Sequence, residues 1–258
     1  MLKKMLVTAY LVLVPSAAFA HDFWLQPQGE NLVGSRISLA VHIGDHLSGQ
    51  QVKRLPGIVD RFVVYCEADP DGAVVAESDN DLYFGYHDVE KACDKTFVLT
   101  TNKFNIKLDA DAFNSYLEDE GMDQALELRK SLGLLESDAE ETYYRIVKTV
   151  VGEDDTAGRV FSLPLELSVV PMPEGAASDQ LAVLVTEGGK PVPNRQVKAR
   201  FLSADGQLRR QRTDENGVAV FQIDDSGLWA FATTSMSLAG GVSPRWQSIW
   251  SSLTLQLD

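Results

Sequence analysis

Histidine and cysteine are the residue types in this sequence best suited to chemistry. They are His21, His42, His46 and His87, together with Cys66 and Cys93. Imidazole nitrogens serve both as ligands of divalent transition metals and as general bases. The sequence has no Ser-His-Asp order, Gly-rich phosphate loop, CxxC pair or HExxH motif. It therefore gives most enzyme classes no support, and we predict that the chain is not an enzyme.

His21 differs from the other histidines because it follows a predicted signal peptide, residues 1–20. Two lysines precede a short apolar stretch, and an A-F-A sequence ending at Ala20 provides the small residues that signal peptidase requires. A retained N-terminal anchor is the alternative. The apolar stretch is short for a membrane span, and no later segment qualifies as one. We predict a periplasmic protein that begins at His21 and is not inserted in the membrane.

Cleavage after Ala20 would give His21 the means to chelate a metal. Its free α-amine and its imidazole Nδ1 would close a ring on one ion, and both suit Cu(II), Ni(II), Co(II) or Zn(II). An α-amine has an ordinary pKa of about 7.7–8.0, so a metal displaces only a weakly held proton. One further histidine would complete a three-nitrogen site. Alternatively, His21 begins an edge strand and its imidazole is solvated.

The other three histidines are candidate ligands with weaker signals. His42 and His46 form an H-x-x-x-H pair in a predicted strand, where they would lie about 13 Å apart unless Gly44 turns the chain. Otherwise they are a polar strand residue and a turn residue. His87 follows an aromatic strand and is either a third ligand or a solvated turn residue.

The two cysteines, Cys66 and Cys93, are predicted to form a disulfide. An even pair in an exported protein is most simply oxidised, and such a bond stabilises the fold by roughly 3–4 kcal/mol on the chain-entropy model. Two thiolate metal ligands are the alternative, which the absence of CxxC spacing disfavours.

The charge balance is strongly acidic. The formal net charge is −14, and loss of the two signal-peptide lysines takes it to −16. Such a surface repels nucleic acid and attracts cations. We therefore predict no nucleic-acid partner.

The sequence pattern predicts a mainly β protein with two β-sandwich-like units. Short alternating runs separated by turn residues, such as SRISLAVHIG, are typical of antiparallel sandwiches. The first unit is predicted at residues 21–171, with a helical insertion at about 109–151. The second, a small immunoglobulin- or transthyretin-like sandwich, is predicted at 172–258 and begins with a Pro- and Gly-containing linker, 172–179.

The insertion is predicted to contain two or three short helices. Gly121 and Gly133 are expected to end helices, since glycine interrupts the helical pattern at both positions. Ser137 and Glu140 have capping-box spacing, which predicts a further helix after them.

Three tryptophans lie near the two ends of the predicted mature chain. Trp24, Trp246 and Trp250 are either core residues or an exposed platform on which sugars stack. Strand spacing favours the core.

Several longer motifs resemble one protein family. They are HDFWL at 21–25, FNSYLEDEG at 113–121 and IWSSLT at 249–254. The chain resembles bacterial periplasmic proteins of a domain-of-unknown-function family, often labelled as periplasmic components of cobalt- or nickel-type ABC transport systems. The resemblance covers essentially the whole mature chain and implies a β-rich protein associated with transition-metal handling. Only His21 matches a histidine of the family, at its mature start.

These observations together predict an exported protein that binds nickel, cobalt or copper and delivers it to a membrane transporter. A carbohydrate- or protein-binding β-sandwich module without metal is the alternative. A copper oxidase acting on polysaccharide is a third hypothesis, since it also uses a mature-start histidine.

Overall fold

The structure is a computed structural model that describes residues 21–66, 69–74, 81–152, 158–172, 177, 179–204, 206–239 and 245–257. The predicted signal peptide lies outside these residues, as does most of the predicted linker. Within them, no helix has the length and apolar character that a membrane crossing requires.

Strands dominate the fold, which confirms the mainly β prediction. A first antiparallel sheet is built around its second strand, which pairs with the other three. Its strands are β1 (Asp22–Gln28), β2 (Arg36–Asp45), β3 (Ser48–Val52) and β6 (Gly85–Asp88). Ile37, Leu39 and Val41 are fully buried at alternate positions of β2, so the alternation in the sequence marks the face that turns inward.

A nine-stranded central sheet holds the molecule together. Its strands are β4 (Val59–Cys66), β5 (Asp69–Ala73), β7 (Lys95–Thr101), β8 (Phe104–Leu108), β9 (Ala139–Val151), β13 (Gln196–Phe201), β14 (Arg209–Arg212), β16 (Gly227–Ala239) and β17 (Arg245–Leu257). Their order in the sheet is β14-β13-β16-β17-β9-β7-β4-β5, with β8 also pairing with β9. β9 and β17 pair in parallel, and the other pairings are antiparallel. Strands from both predicted units therefore share one sheet.

A third sheet covers part of the central sheet from the other side. Its strands are β10 (Leu165–Val170), β11 (Gln180–Glu187), β12 (Lys190–Pro191) and β15 (Val218–Gln222). Val197 and Ala199 of β13 pack in its core, while the first sheet packs in a separate core with β4 and β7. Because strand residues alternate between faces, Lys198 points away from the third sheet, towards the side that carries the first.

Two helices follow β8, as predicted. They are α1 (Ala110–Asp119) and α2 (Asp123–Ser131). The Asp109 carboxylate accepts the backbone N–H of Ala112 and so caps α1. Gly121 and Gly133 have positive φ values of 65° and 68°. Both glycines adopt the left-handed conformation that ends a helix, which confirms the prediction for them.

The predicted third helix is wrong, because Ala139–Val151 is strand β9. This segment contains the run TYYRIVKTVV, whose β-branched and aromatic side chains favour a pleated surface. β9 pairs with β7 and β8 on one side and with β17 on the other. These ladder partners outweigh the local capping-box signal at Ser137 and Glu140. The helical part of the insertion therefore ends at α2.

Cys66 and Cys93 form the predicted disulfide, with a Cα–Cα distance of 5.7 Å. It connects the end of β4 to the segment just before β7. Since both cysteines are used in this bond, neither offers a thiolate to a metal ion.

Replacing both cysteines by serine is expected to lower the free energy of unfolding. The two residues are 27 positions apart in sequence. On the chain-entropy model, loss of a disulfide that closes a loop of this size lowers the free energy of unfolding by about 3–4 kcal/mol. Urea denaturation of the oxidised protein and of the double-serine variant measures the difference. Equal midpoints and equal slopes would contradict the expectation, and wild-type protein under a reducing agent is the matched control.

Candidate functional site

A pocket of about 400 Å³ lies between the β2–β3 turn and helix α1. One side is acidic and carries a histidine, and the other is formed by small, apolar and aromatic side chains. The lining residues are Asp22, Asp45, His46, Leu108, Ala112, Ser115, Tyr116, Asp119 and Glu120. The pocket therefore combines several carboxylates with an imidazole, which is a donor set suited to cations.

The pairing of β1 with β2 places His21 beside this pocket. Asp22 lies opposite Gly44 in the ladder, so His21 comes opposite Asp45. The His21 Nδ1 and the Asp45 Oδ1 are 2.6 Å apart. The His21 side chain is 25% exposed and that of Asp45 is 69% exposed. The predicted mature start thus lies at an accessible edge of the sheet, next to a carboxylate.

His46 reaches the same place from the turn after β2. His46 and Leu47 have φ values of 55° and 57°, a left-handed conformation that is costly for residues other than glycine. The Leu47 N–H donates to the Asp22 Oδ2 at 2.9 Å, and its side chain is buried. These contacts hold the turn. His46 therefore lies in the turn after β2, which was the alternative to its role as a metal ligand and does not exclude that role.

His46 also contacts groups from two other elements. Its Nδ1 is 3.6 Å from the Asp119 Oδ2 at the end of α1 and 3.3 Å from the Arg210 Nη2 of β14. The same Arg210 nitrogen donates to the Asp119 Oδ1 at 3.3 Å. A cation that bound to both His46 and Asp119 would compete with this guanidinium.

A buried charge cluster lies behind the pocket. The Lys198 Nζ is 2.7 Å from the Asp22 Oδ1 and 2.6 Å from the Glu120 Oε1. The Thr234 hydroxyl donates to the Glu120 Oε2 at 3.0 Å. All three charged side chains are buried, and two of them line the pocket. The cluster joins the beginning of β1, the end of α1 and the middle of β13.

The pKa values of this cluster follow from its burial and its two negative charges. Burial, with repulsion from Asp22, raises the pKa of Glu120 to about 7 even though Lys198 acts against the increase. Burial alone would lower the pKa of Lys198, but the charges of Asp22 and Glu120 outweigh it and raise the pKa. The two carboxylates therefore favour the charged ammonium, and burial favours the protonated form of Glu120.

Tyr116 is the aromatic residue among those that line the pocket. The Tyr116 ring stacks on the Trp250 ring at a centroid distance of 5.7 Å and an interplanar angle of 7°. The Tyr116 hydroxyl donates to the Glu141 Oε1 at 3.3 Å, and burial raises the pKa of both groups. Trp24, Trp246 and Trp250 are all buried. The core prediction for them is confirmed, and they form no exposed platform for sugars.

The remaining two histidines lie away from the pocket. His42 is opposite Trp24 in the ladder, and the two rings stack at 5.7 Å. Burial lowers the pKa of His42. His87 is opposite Ile37, eight positions along β2 from Asp45, which corresponds to about 26 Å. The structure therefore places His46 in the pocket and His21 beside Asp45, a residue of the pocket lining, and it places neither His42 nor His87 there.

In the part of the chain with described coordinates, no three or more His, Cys, Asp and Glu side chains converge on a common point as metal ligands do. The arrangement consists instead of two neighbouring pairs, His21 with Asp45 and His46 with Asp119.

A protein-family model matches most of the chain. The family model described as "Domain of unknown function (DUF4198)" matches residues 18–237. The chain belongs to this family. No curated protein matches the chain.

The matched DUF4198 region contains every residue that lines the pocket, as well as Lys198. It begins just before His21 and ends within β16. Trp250, on β17, lies beyond it. The candidate site thus falls within the part of the chain that defines the family.

Sequence reasoning missed five charged residues of the site in this DUF4198 domain. Asp22 adjoins His21 in sequence and Asp45 adjoins His46, which were the available signals. Nothing in residue spacing connects Asp119, Glu120 and Lys198 with the histidines, since their proximity depends on strand register and on the contact between α1 and β13. The missed residues are Asp22, Asp45, Asp119, Glu120 and Lys198.

Proposed function

We propose that this protein is an exported, periplasmic binding protein for a divalent transition metal, which it presents to a membrane transporter. The observation that carries the proposal is that His21 contacts Asp45 and His46 contacts Asp119, while Asp45, His46 and Asp119 line one pocket. Two imidazoles and two carboxylates come from three separate elements. Binding of one ion by both pairs would require these side chains to rearrange and Arg210 to give up its contacts with His46 and Asp119.

Signal cleavage adds the decisive donor. Removal of residues 1–20 would convert the His21 peptide nitrogen into an amine, which with the imidazole Nδ1 forms a bidentate chelate. An ion held there lies beside Asp45. The proposed ligand set is therefore nitrogen from His21 and His46 and oxygen from the aspartates.

This donor set favours particular metals. Imidazole and amine nitrogens with carboxylate oxygens suit Ni(II), Co(II) and Cu(II), whereas Cu(I) prefers thiolate and thioether sulfur. Among the residues that line the pocket there is neither cysteine nor methionine. We infer that the cargo is a divalent ion and that Cu(I) binds more weakly than Cu(II).

Charge and exposure support a role in capture and transfer. The net charge of −14 attracts cations over the whole surface. The side chains of Asp45 and Asp119 are 69% and 50% exposed, so a bound ion stays within reach of an incoming ligand on a transporter. The resemblance to periplasmic components of cobalt- and nickel-type transport systems supports the same role.

The proposal predicts that His46 contributes to binding and that His87 does not. Isothermal calorimetry of the mature protein should show one Ni(II) or Cu(II) per chain. His46→Ala should weaken binding about tenfold, which is about 1.4 kcal/mol, because the terminal chelate remains. His87→Ala is the matched control and should bind as the wild type does. Absence of binding by the wild type, or equal losses in both variants, would contradict the proposal.

A further inference from the structure

Lys198 is one of the most buried charged residues of the fold. Its side chain is 1% exposed, and it lies on β13 near the centre of the molecule. Its ammonium binds Asp22, 176 positions away in sequence, at 2.9 Å to Oδ2, and Glu120, 78 positions away, at 2.6 Å. A single side chain thus connects three distant parts of the chain.

Asp22, the first partner of Lys198, holds both the segment that carries His21 and the turn that carries His46. Asp22 directly follows His21, so its carboxylate fixes the direction in which the chain enters β1. The Asp22 Oδ2 also accepts the N–H of Leu47, the residue after His46. Displacement of the Asp22 carboxylate would therefore move one histidine through the covalent chain and the other through the turn.

The second partner controls the end of α1. Glu120 directly follows Asp119, whose Oδ2 lies 3.6 Å from the His46 Nδ1. Its two oxygens are held separately, Oε1 by Lys198 and Oε2 by the Thr234 hydroxyl. Without the ammonium, the buried Glu120 carboxylate would lose its counter-ion and would turn towards solvent. Asp119, the preceding residue, would move with it.

Stability alone does not account for such a cluster, since apolar side chains in place of a buried ion cluster often give equal or greater stability. We propose that Lys198 is the positioning residue of the proposed metal site, because each of its carboxylate partners fixes a segment that carries a ligand. This inference rests on the proposed function. Lys198 acts through Asp22 and Glu120 and does not itself touch the ion.

The test replaces Lys198 in two ways. Lys198→Gln keeps a hydrogen-bond donor but removes the charge. The triple variant Lys198→Met, Asp22→Asn, Glu120→Gln removes all three charges, so that one folded variant is available if the first does not fold. Both are compared with the mature wild type by Ni(II) calorimetry and by the electron paramagnetic resonance spectrum of bound Cu(II). We expect affinity to fall by about 10- to 100-fold, as for other groups that orient metal ligands, and the Cu(II) spectrum to change.

A second buried lysine provides the matched control. The Lys148 Nζ lies 2.9 Å from the Glu166 Oε1, and both side chains are buried. Neither residue lines the pocket. Lys148→Met with Glu166→Gln should leave affinity and spectrum unchanged. If the wild type binds metal and the Lys198 variants bind it with the same affinity and spectrum, the positioning role is wrong and the proposed function stands. If the wild type binds no metal, the proposed function itself fails.

Discussion

A mature protein with one extra alanine before His21 is expected to bind Ni(II) about 100-fold more weakly than one that begins at His21, a difference of about 2.7 kcal/mol. The extension turns the amine of His21 into a peptide nitrogen, which must lose a strongly held proton before it can bind a metal and is therefore a poorer donor than an amine. The imidazole, Asp45 and His46 all remain, so the loss reports the chelate ring alone. Calorimetry on both forms, with the first residue verified by mass spectrometry, measures the effect.

The matched control adds the alanine after Asp258 instead, which changes mass and length by the same amount. That form should bind as the unextended protein does. Equal affinities for all three forms would show that the amine is not a ligand. Binding would then depend on side chains alone, and the cleavage at Ala20 would have no part in the chemistry.

The single replacement Lys148→Met is expected to lower the free energy of unfolding by about 3–5 kcal/mol, because it leaves a buried carboxylate without its counter-ion. Glu166 is fully buried and also accepts the backbone N–H groups of Phe161 and Leu163 at 2.9 and 3.1 Å. Burial lowers the pKa of Lys148, although the charge of Glu166 opposes this. Urea denaturation at neutral pH measures the loss.

Adding Glu166→Gln to this variant should recover most of the stability, since the uncompensated charge disappears while an acceptor oxygen remains. Equal losses in the single and double variants would show that side-chain packing, and not charge, sets the cost. Lys107→Met removes an exposed lysine paired with Asp138 and should leave the free energy of unfolding close to that of the wild type, because exposed ion pairs contribute little.

Local pattern was enough to predict much of the fold. The alternation in β2 and the two glycines that end the helices depend on a few neighbouring residues. The disulfide follows from an even number of cysteines in an exported protein. The sequence pattern wrongly predicts a helix at β9, because the ladder partners of this strand come from segments far away in sequence. Its Thr149 hydroxyl donates to the carbonyl of Thr254, 105 residues further on, and no local signal records that pairing.

The candidate site was predictable only in part, for the same reason. His21 has a sequence signal because signal peptidase recognises residues next to it. In the sequence QVKARF, Lys198 has the pattern of a solvated residue on a strand. In the folded protein it is buried and paired with Asp22 and Glu120. A single sequence does not record such long-range compensation between charges.

The parallel pairing of β9 with β17 has a consequence for the time course of folding. The two strands form the middle of the central sheet, and chains dominated by such distant pairings fold in milliseconds to seconds, more slowly than helical ones. On the proposed export route the chain crosses the membrane from its N-terminal end. His21 would then arrive early, while the strand that closes the sheet around β9 arrives late. Metal ions would meet an open, unpaired terminus before they meet the finished pocket.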